Sequence, residues 1–187
     1  IFEVDQKEVQ DRKLSKLPSE VPNSENITYV SVDFSNQSLS EQLLDAGFDQ
    51  SQSTVFTLEG VAQYVSKEAL ITTIKEVEIL SKDSESIFFL SYVNELLSKN
   101  PEACFGRGYR NPEKKAALIQ NLSEKAGEPW ISLYSNEEIE DLLAMHGFSI
   151  EENITFSELN SRFFAPLGRD LPEDQIFKLE QLLVAKS

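Results

Sequence analysis

The spacing of apolar and polar residues divides the first half of the chain into alternating strands and helices. Short apolar runs predict four strands, at residues 1–4, 27–34, 53–58 and 86–93. Helical patterns predict the segments between them, at residues 5–17, 38–48 and 66–82. The run SIFFLSYV at 86–93 is typical of a strand that is buried on both faces of a parallel sheet. This order predicts an α/β doubly wound sheet.

Helix-capping signals support two of the predicted helices. The segment 38–48 begins with the spacing of a capping box, Ser38 and Glu41, and ends at Gly47. The same start and stop signals recur over 135–148. These positions are therefore expected to fix where the two helices begin and end.

The second half of the chain is less regular. Residues 94–127 read as mainly helical, and FGRGYRNP within them reads as a mobile loop. A strand at 149–156 and a short helix at 157–164 are expected next. The last segment, 174–187, fits a strand or a helix, and we expect an edge strand.

Size and charge narrow the classes of partner. The 187 residues suffice for one domain with its own core. Asp and Glu number 32 against 17 Lys and Arg, which gives a formal net charge of −15 and makes nucleic acid an unfavourable partner. No apolar run is long enough to cross a membrane, and residues 1–5 do not resemble a signal peptide. The single cysteine, Cys104, suits a cytoplasmic location.

Motifs for metal binding or hydrolysis do not occur in the sequence. There is no H-x-x-x-H, C-x-x-C or G-x-S-x-G, so that no metal is expected and no catalytic residue is assigned. The only histidine, His146, lies in the last turn of a predicted helix. The sequence GRG at 106–108 does not follow a strand, and Asn111 stands where a third glycine should be.

Three successive strand ends carry an acid. Asp5, Asp33 and Glu59 follow the first three predicted strands, at the edge where ligands bind to doubly wound sheets. Asp5 suits ribose hydroxyls, and Asp33 with Phe34 suits adenine. Glu59 could face the charged amino-acid part of a cofactor. The alternative is that all three are solvated surface charges.

These residues carry a resemblance to a known family. FEVD, VDF and LLDAGFDQSQSTVFTLEGVAQYV resemble the leucine carboxyl methyltransferase-like family, in its bacterial branch of methyltransferases. GEPWISLYSNEEIEDLLAMHGFSIEENITFSELNSRFF resembles the C-terminal region of that branch. The resemblance implies S-adenosylmethionine as cofactor and the class I methyltransferase fold, a Rossmann-like doubly wound sheet.

The resemblance also implies residue roles. Asp5 would hold the ribose hydroxyls, and Asp33 and Phe34 would contact adenine. Glu59 would contact the methionine part of the cofactor, where Gly60 lets the backbone turn closely.

Three aromatic residues are expected to line the acceptor side of the site, where the molecule that receives the methyl group would bind. The resemblance assigns Tyr64 to it, and we expect Tyr92 and Trp130 to line substrate as well. The alternative for Trp130 is a place in the core.

One departure from the family concerns the first strand of its sheet. That strand, its glycine turn and an N-terminal helical region precede FEVD in the family and are not in this sequence. We therefore expect a fragment of one domain that binds the cofactor poorly and is inactive alone, completed by an N-terminal segment. Residues 1–93 would form the cofactor-binding strands and helices, 94–134 a helical lid insertion, and 135–187 the rest of the sheet.

The resulting hypothesis is methyl transfer from S-adenosylmethionine to a carboxylate or hydroxyl of a small molecule or peptide. A non-catalytic nucleotide-binding or interaction module with the same fold is the first alternative. A nicotinamide-dependent oxidoreductase is the second, since it shares the ribose-binding acid.

Overall fold

The computed structural model describes residues 1–18, 26–33 and 36–187. Its strands are β1 (Phe2–Asp5), β2 (Thr28–Ser31), β3 (Val55–Leu58), β4 (Ile87–Val93), β5 (Ser149–Thr155) and β6 (Glu180–Lys186). Its helices are α1 (Lys7–Leu14), α2 (Leu39–Asp45), α3 (Lys67–Leu80), α4 (Leu96–Lys99), α5 (Pro112–Lys125), α6 (Asn136–Met145) and α7 (Phe156–Leu159). The strands and helices expected in the first half of the chain are thereby confirmed, with bounds that differ by up to a few residues.

The strands form two separate sheets within the described residues. β1 and β2 pair in parallel, with Phe2 opposite Thr28 and Asp5 opposite Ser31. The second sheet has the order β3-β4-β6-β5, in which β3 and β4 are parallel and β6 is antiparallel to both of its neighbours. The outer edges of β1 and β3 therefore have no strand beside them in this part of the chain.

The last strand lies inside the sheet, so the expectation of an edge strand is wrong. β6 pairs with β4 along all seven of its residues and with β5 on its other side. Leu183 and Ala185 are fully buried, while Leu182 and Val184 on the opposite face are half-buried. Both faces are thus covered, as in an interior strand.

Phe48 connects the two sheets. Its ring centroid lies 5.6 Å from that of Phe2 in β1 and 5.8 Å from that of Phe56 in β3. Phe48 directly follows Gly47, whose φ of +92° ends α2. The amide of Phe48 donates to the carbonyl of Leu43, so the helix end fixes where the ring is placed.

Of the two reciprocal hydrogen bonds of a capping box, the one accepted by the serine hydroxyl is formed at both helices. The Ser38 hydroxyl accepts from the amide of Glu41 at 3.3 Å. The Ser135 hydroxyl accepts from the amide of Glu138 at 3.0 Å. These hydroxyls satisfy amides at the helix start that have no intrahelical partner.

A carboxylate joins α2 to α3. Glu76 accepts hydrogen bonds of 2.8 Å from the Ser38 hydroxyl and from the Ser40 amide. Burial raises the pKa of Glu76, but the hydrogen bonds from Ser40 and Ser38 outweigh it and lower the pKa below its usual value. The first sheet is thus attached to the second by helix contacts as well as by Phe48.

The main core lies where α3 and α6 cover the second sheet. The buried side chains of α3 recur at helical spacing and pack on β4 and β6; they are Leu70, Ile74 and Val77. Ile139 and Leu143 of α6 complete this layer, together with Phe88 and Leu90 of β4. Burial of such side chains is the main driving force for folding.

Residues 94–134 contain α4, a 3-10 turn at Pro101–Cys104 and α5. A further cluster of buried residues consists of Val93 at the end of β4 and of Leu97, Cys104, Phe105 and Ala116 in this segment. Of the helices in the described part of the chain, none combines the length and the apolar character that a membrane-spanning helix needs.

The segment expected as a mobile loop is instead fixed to the C-terminal part of the chain. The Gly106 amide donates to the carbonyl of Ile176 at 2.9 Å, and the Lys178 amide donates to that of Cys104 at 2.7 Å. Phe105 packs on Phe177 with ring centroids 5.6 Å apart. A Cβ at Gly106 would lie 1.7 Å from the carbonyl oxygen of Glu173, so only glycine allows this approach.

We predict that Gly106→Ala lowers the free energy of unfolding by about 1–3 kcal/mol, because the added methyl group collides with backbone. Urea denaturation of the two proteins measures the difference. Gly168→Ala is the control: its Cβ would meet nothing within 4 Å, but its φ is +68°. A loss for Gly106→Ala no larger than that of the control would contradict the contact.

Candidate functional site

The first two acids lie at the same end of the first sheet. Asp5 is the last residue of β1, and Asp33 follows β2 by two residues. The Asp5 carboxylate accepts from the amide of Gln6 at 2.7 Å, and that of Asp33 accepts from the Asn36 side chain at 2.7 Å. Asp33 is exposed and Asp5 is half-buried. Phe34, expected beside adenine, lies outside the described residues.

The third acid lies in a turn that β4 holds in place. Glu59 follows β3, is exposed, and makes no hydrogen bond or ion pair with the residues that the structure describes. Gly60 has a φ of +67°, and its amide donates to the Ser91 hydroxyl at 2.9 Å. Ser91 is 1% exposed on β4. Sequence spacing does not single out Ser91, because only strand pairing brings it beside Gly60.

The space beside this turn is open. A Cβ built on Gly60 would meet no atom within 4 Å. A ligand can therefore approach the backbone closely at the point where the Glu59 carboxylate is exposed. An exposed carboxylate beside bare backbone fits the ammonium of an amino-acid group.

Tyr64 and Tyr92 lie in different surroundings. Tyr64 ends the 3-10 turn Ala62–Tyr64 and is 38% exposed, so it is accessible from solvent. Tyr92 is 0% exposed, and its hydroxyl lies within hydrogen-bond distance of the side chains of Asn136 and Asn153. Burial raises the pKa of Tyr92 to about 12 because it disfavours the phenolate. Tyr92 is thus occupied within the protein rather than open to a substrate.

Residues 131–134 form a short segment that lies between the 3-10 turn and the end of β4. The amides of Ile131 and Ser132 donate to the carbonyl of Gln63 at 2.8 and 3.2 Å. The amide of Tyr134 donates to the carbonyl of Val93 at 3.1 Å. This segment therefore borders the same sheet edge as Glu59.

Two buried polar atoms at this junction lack a partner among the described residues: the Gln63 side-chain oxygen Oε1 and the Trp130 indole Nε1. Gln63 is only 5% exposed. Trp130 packs against the buried cluster of residues 93–116. An unpaired buried polar group costs about 1–3 kcal/mol, so both atoms need an explanation.

The Cys104 thiol and the His146 imidazole have surroundings that are typical of structural rather than catalytic residues. Burial raises the pKa of the Cys104 thiol to about 11, which disfavours the nucleophilic thiolate. His146 Nδ1 lies 2.7 Å from a carboxylate oxygen of Glu78, and this pair joins the ends of α6 and α3. In the described ranges, no group of three or more His, Cys, Asp or Glu is arranged to hold a metal ion.

We predict that Ser91→Ala lowers the free energy of unfolding by about 1 kcal/mol, since the Gly60 amide loses its hydrogen-bond acceptor. Urea denaturation measures the change. Ser149→Ala removes a more exposed hydroxyl, whose contact to the Lys186 carbonyl is 3.4 Å long, and serves as the control. Equal stability of the two variants would show that the Ser91 hydroxyl does not support the turn.

Comparison with known proteins shows which proteins the chain is similar to. Residues 1–78 match the model of the leucine carboxyl methyltransferase family. A relative from Bacillus subtilis (strain 168), named "Putative S-adenosyl-L-methionine-dependent methyltransferase YktD", is 29% identical over 168 residues. The match covers 88% of this chain and 51% of the relative, so the chain spans about half the length of that protein.

Solved structures share the fold at low sequence identity. A DUF574 family protein from Streptomyces avermitilis has a TM-score of 0.62 at 14% identity, with 100% of this chain and 64% of that chain covered. The mycolic acid cyclopropane synthase CmaA1, complexed with SAH and CTAB, has a TM-score of 0.59 at 10% identity, with 100% and 69% covered. An S-adenosylmethionine-dependent methyltransferase from Mesorhizobium loti has a TM-score of 0.55 at 15% identity, with 100% and 79% covered.

These matches confirm the resemblance that the sequence motifs indicated. The mixed sheet with helices on it has the Rossmann-like fold of class I methyltransferases. The chain therefore resembles the S-adenosylmethionine-dependent methyltransferases in sequence and in fold, and its residues 1–78 resemble the leucine carboxyl methyltransferase family.

Proposed function

We propose that the protein containing this chain transfers a methyl group from S-adenosyl-L-methionine to an oxygen atom of an acceptor. The observation that carries the proposal is the turn at Glu59 and Gly60. It combines an exposed carboxylate, open space beside the backbone, and a hydrogen bond from the Gly60 amide to β4. Such a turn, at the carboxyl end of a strand, lies where doubly wound folds bind their ligands.

The acids are proposed to bind different parts of the cofactor. Glu59 would accept hydrogen bonds from the ammonium of its methionine part, and Asp5 would accept them from the ribose hydroxyls. Asp33 would bind the adenine amine. The contact of Phe34 with adenine stays a prediction, since Phe34 lies outside the described residues. The half-buried and exposed carboxylates of Asp5 and Asp33 support these roles, because ligand hydroxyls and amines can reach them.

The chemistry requires positioning above all. When bound, S-adenosyl-L-methionine supplies a methyl group on a positively charged sulfur. The chain would hold the acceptor oxygen in line with that group, with the exposed Tyr64 at the acceptor side. A carboxylate acceptor is already ionised and releases no proton, whereas a hydroxyl acceptor gives up its proton to water.

The binding site is proposed to be completed by a further parallel strand between β1 and β3. Each of these strands has an edge without a partner strand in the described residues, and Phe48 packs on Phe2, the first residue of β1, and on Phe56, the second residue of β3. An additional strand would satisfy the free amides and carbonyls of both edges. Residues 94–134 would form a lid over the side of the domain where the methyl acceptor binds. The packing of Trp130 on the buried cluster of residues 93–116 supports this proposal.

We predict that the full-length protein binds S-adenosyl-L-methionine in a calorimetric titration and does not bind NADH. Recognition of a nicotinamide dinucleotide does not require an acid at the end of β3, so the comparison of these two ligands distinguishes the methyltransferase from the oxidoreductase alternative. Absence of binding by S-adenosyl-L-methionine would contradict the proposed function.

We further predict that Glu59→Ala weakens S-adenosyl-L-methionine binding about 10- to 100-fold, because a hydrogen bond to a charged group is lost. Glu85→Ala is the matched control, since Glu85 is also exposed but precedes β4 at the opposite end of the sheet. Equal affinities of the two variants would remove the role assigned to Glu59.

A further inference from the structure

Two unpaired atoms point to the chemistry of the methyl acceptor. Gln63 Oε1 is a hydrogen-bond acceptor and Trp130 Nε1–H is a hydrogen-bond donor, and neither has a partner within the described residues. Buried polar groups in proteins are nearly always paired, so these two atoms are candidates for hydrogen bonds to a bound ligand.

The two residues belong to adjoining segments. The carbonyl of Gln63 accepts from the amides of Ile131 and Ser132, which directly follow Trp130. Gln63 lies in the turn that begins two residues after Gly60, and Tyr134 attaches the other segment to the end of β4. Both residues are therefore placed beside the turn that the proposed function assigns to the cofactor, on the side of Tyr64.

We propose that Gln63 and Trp130 bind the methyl acceptor and select a hydroxyl compound over a carboxylate. A hydroxyl both donates and accepts, so it can satisfy Gln63 Oε1 and Trp130 Nε1–H. An ionised carboxylate accepts only and leaves the Gln63 oxygen unpaired. A site that is built to pair with a hydroxyl rejects ligands that lack one, because its own buried groups are then left without partners.

This inference rests on the proposed function, which identifies the ligand as the methyl acceptor, but its test does not require catalysis. Trp130 is the only tryptophan of the chain, so its indole N–H gives a signal that can be followed by NMR. The full-length protein would be labelled with 15N-tryptophan, and the signal assigned by its absence in Trp130→Phe. The probes are phenol, its methyl ether anisole, and benzoate, which have similar size but different hydrogen-bonding capacity.

We expect phenol to shift the Trp130 signal downfield in a saturable way, with an affinity at least tenfold tighter than that of anisole or benzoate. Gln63→Met keeps the length of the side chain and removes its polar atoms, so the preference for phenol should disappear. Gln52→Met, at an exposed glutamine near the opposite end of the sheet, should retain the preference. No shift with phenol, or an unchanged preference in Gln63→Met, would overturn the proposal.

Two further measurements deal with a Gln63→Met variant that does not fold and with a failure of the proposed function. If Gln63→Met does not fold, Trp130→Phe should bind phenol at least threefold more weakly than the wild type, and an equal affinity would overturn the proposal. S-adenosyl-L-methionine affinity is measured on the same samples. Loss of the phenol preference with that affinity unchanged supports the acceptor role, whereas a wild type that prefers phenol but does not bind S-adenosyl-L-methionine contradicts only the proposed function.

Discussion

The packing of Phe48 between β1 and β3 is the contact on which the arrangement of the two sheets depends. No ladder hydrogen bond joins the sheets in the described part of the chain, so side chains hold them in position. Phe48 contacts Phe2 and Phe56 near the beginnings of the two strands, and Gly47 fixes its backbone. If this packing were lost, the relative position of Asp5 and Glu59 would depend on the contacts between α2 and α3.

The proposed site follows from this arrangement because its residues lie at strand ends. The acids are exposed or half-buried, which suits ligand binding. The positioning groups are buried: Ser91 holds the Gly60 turn, and the Tyr134 amide attaches the segment of Trp130 to β4. Such a division is expected where a rigid framework presents accessible side chains to a ligand.

Local patterns in the sequence predicted the elements but not every neighbour. Helix caps at Ser38 and Ser135 and the apolar run of β4 depend on nearby residues, so spacing was sufficient to find them. Strand order depends on long-range pairing, and no short stretch of sequence encodes the pairing of β6 with both β4 and β5. The expected edge position of β6 is wrong for this reason. Spacing alone indicates a loop around Gly106 for the same reason, since its partners lie some 70 residues later.

The site was only partly predictable. Acids after three strands can be found from spacing, and the roles proposed for them rest on the family resemblance. Ser91 and Gln63 could not be found in this way: Ser91 acts through a contact across the sheet, and Gln63 stands out only because its buried oxygen lacks a partner. Burial and pairing of polar atoms are tertiary properties, and a single sequence does not display them.

The most direct test of the account is a crystal structure of the full-length protein with S-adenosyl-L-methionine. It should show one parallel strand between β1 and β3, with the Glu59 carboxylate in contact with the ammonium of the cofactor and Asp5 in contact with the ribose. A direct pairing of β1 with β3, or a cofactor bound away from the Glu59 turn, would contradict the account.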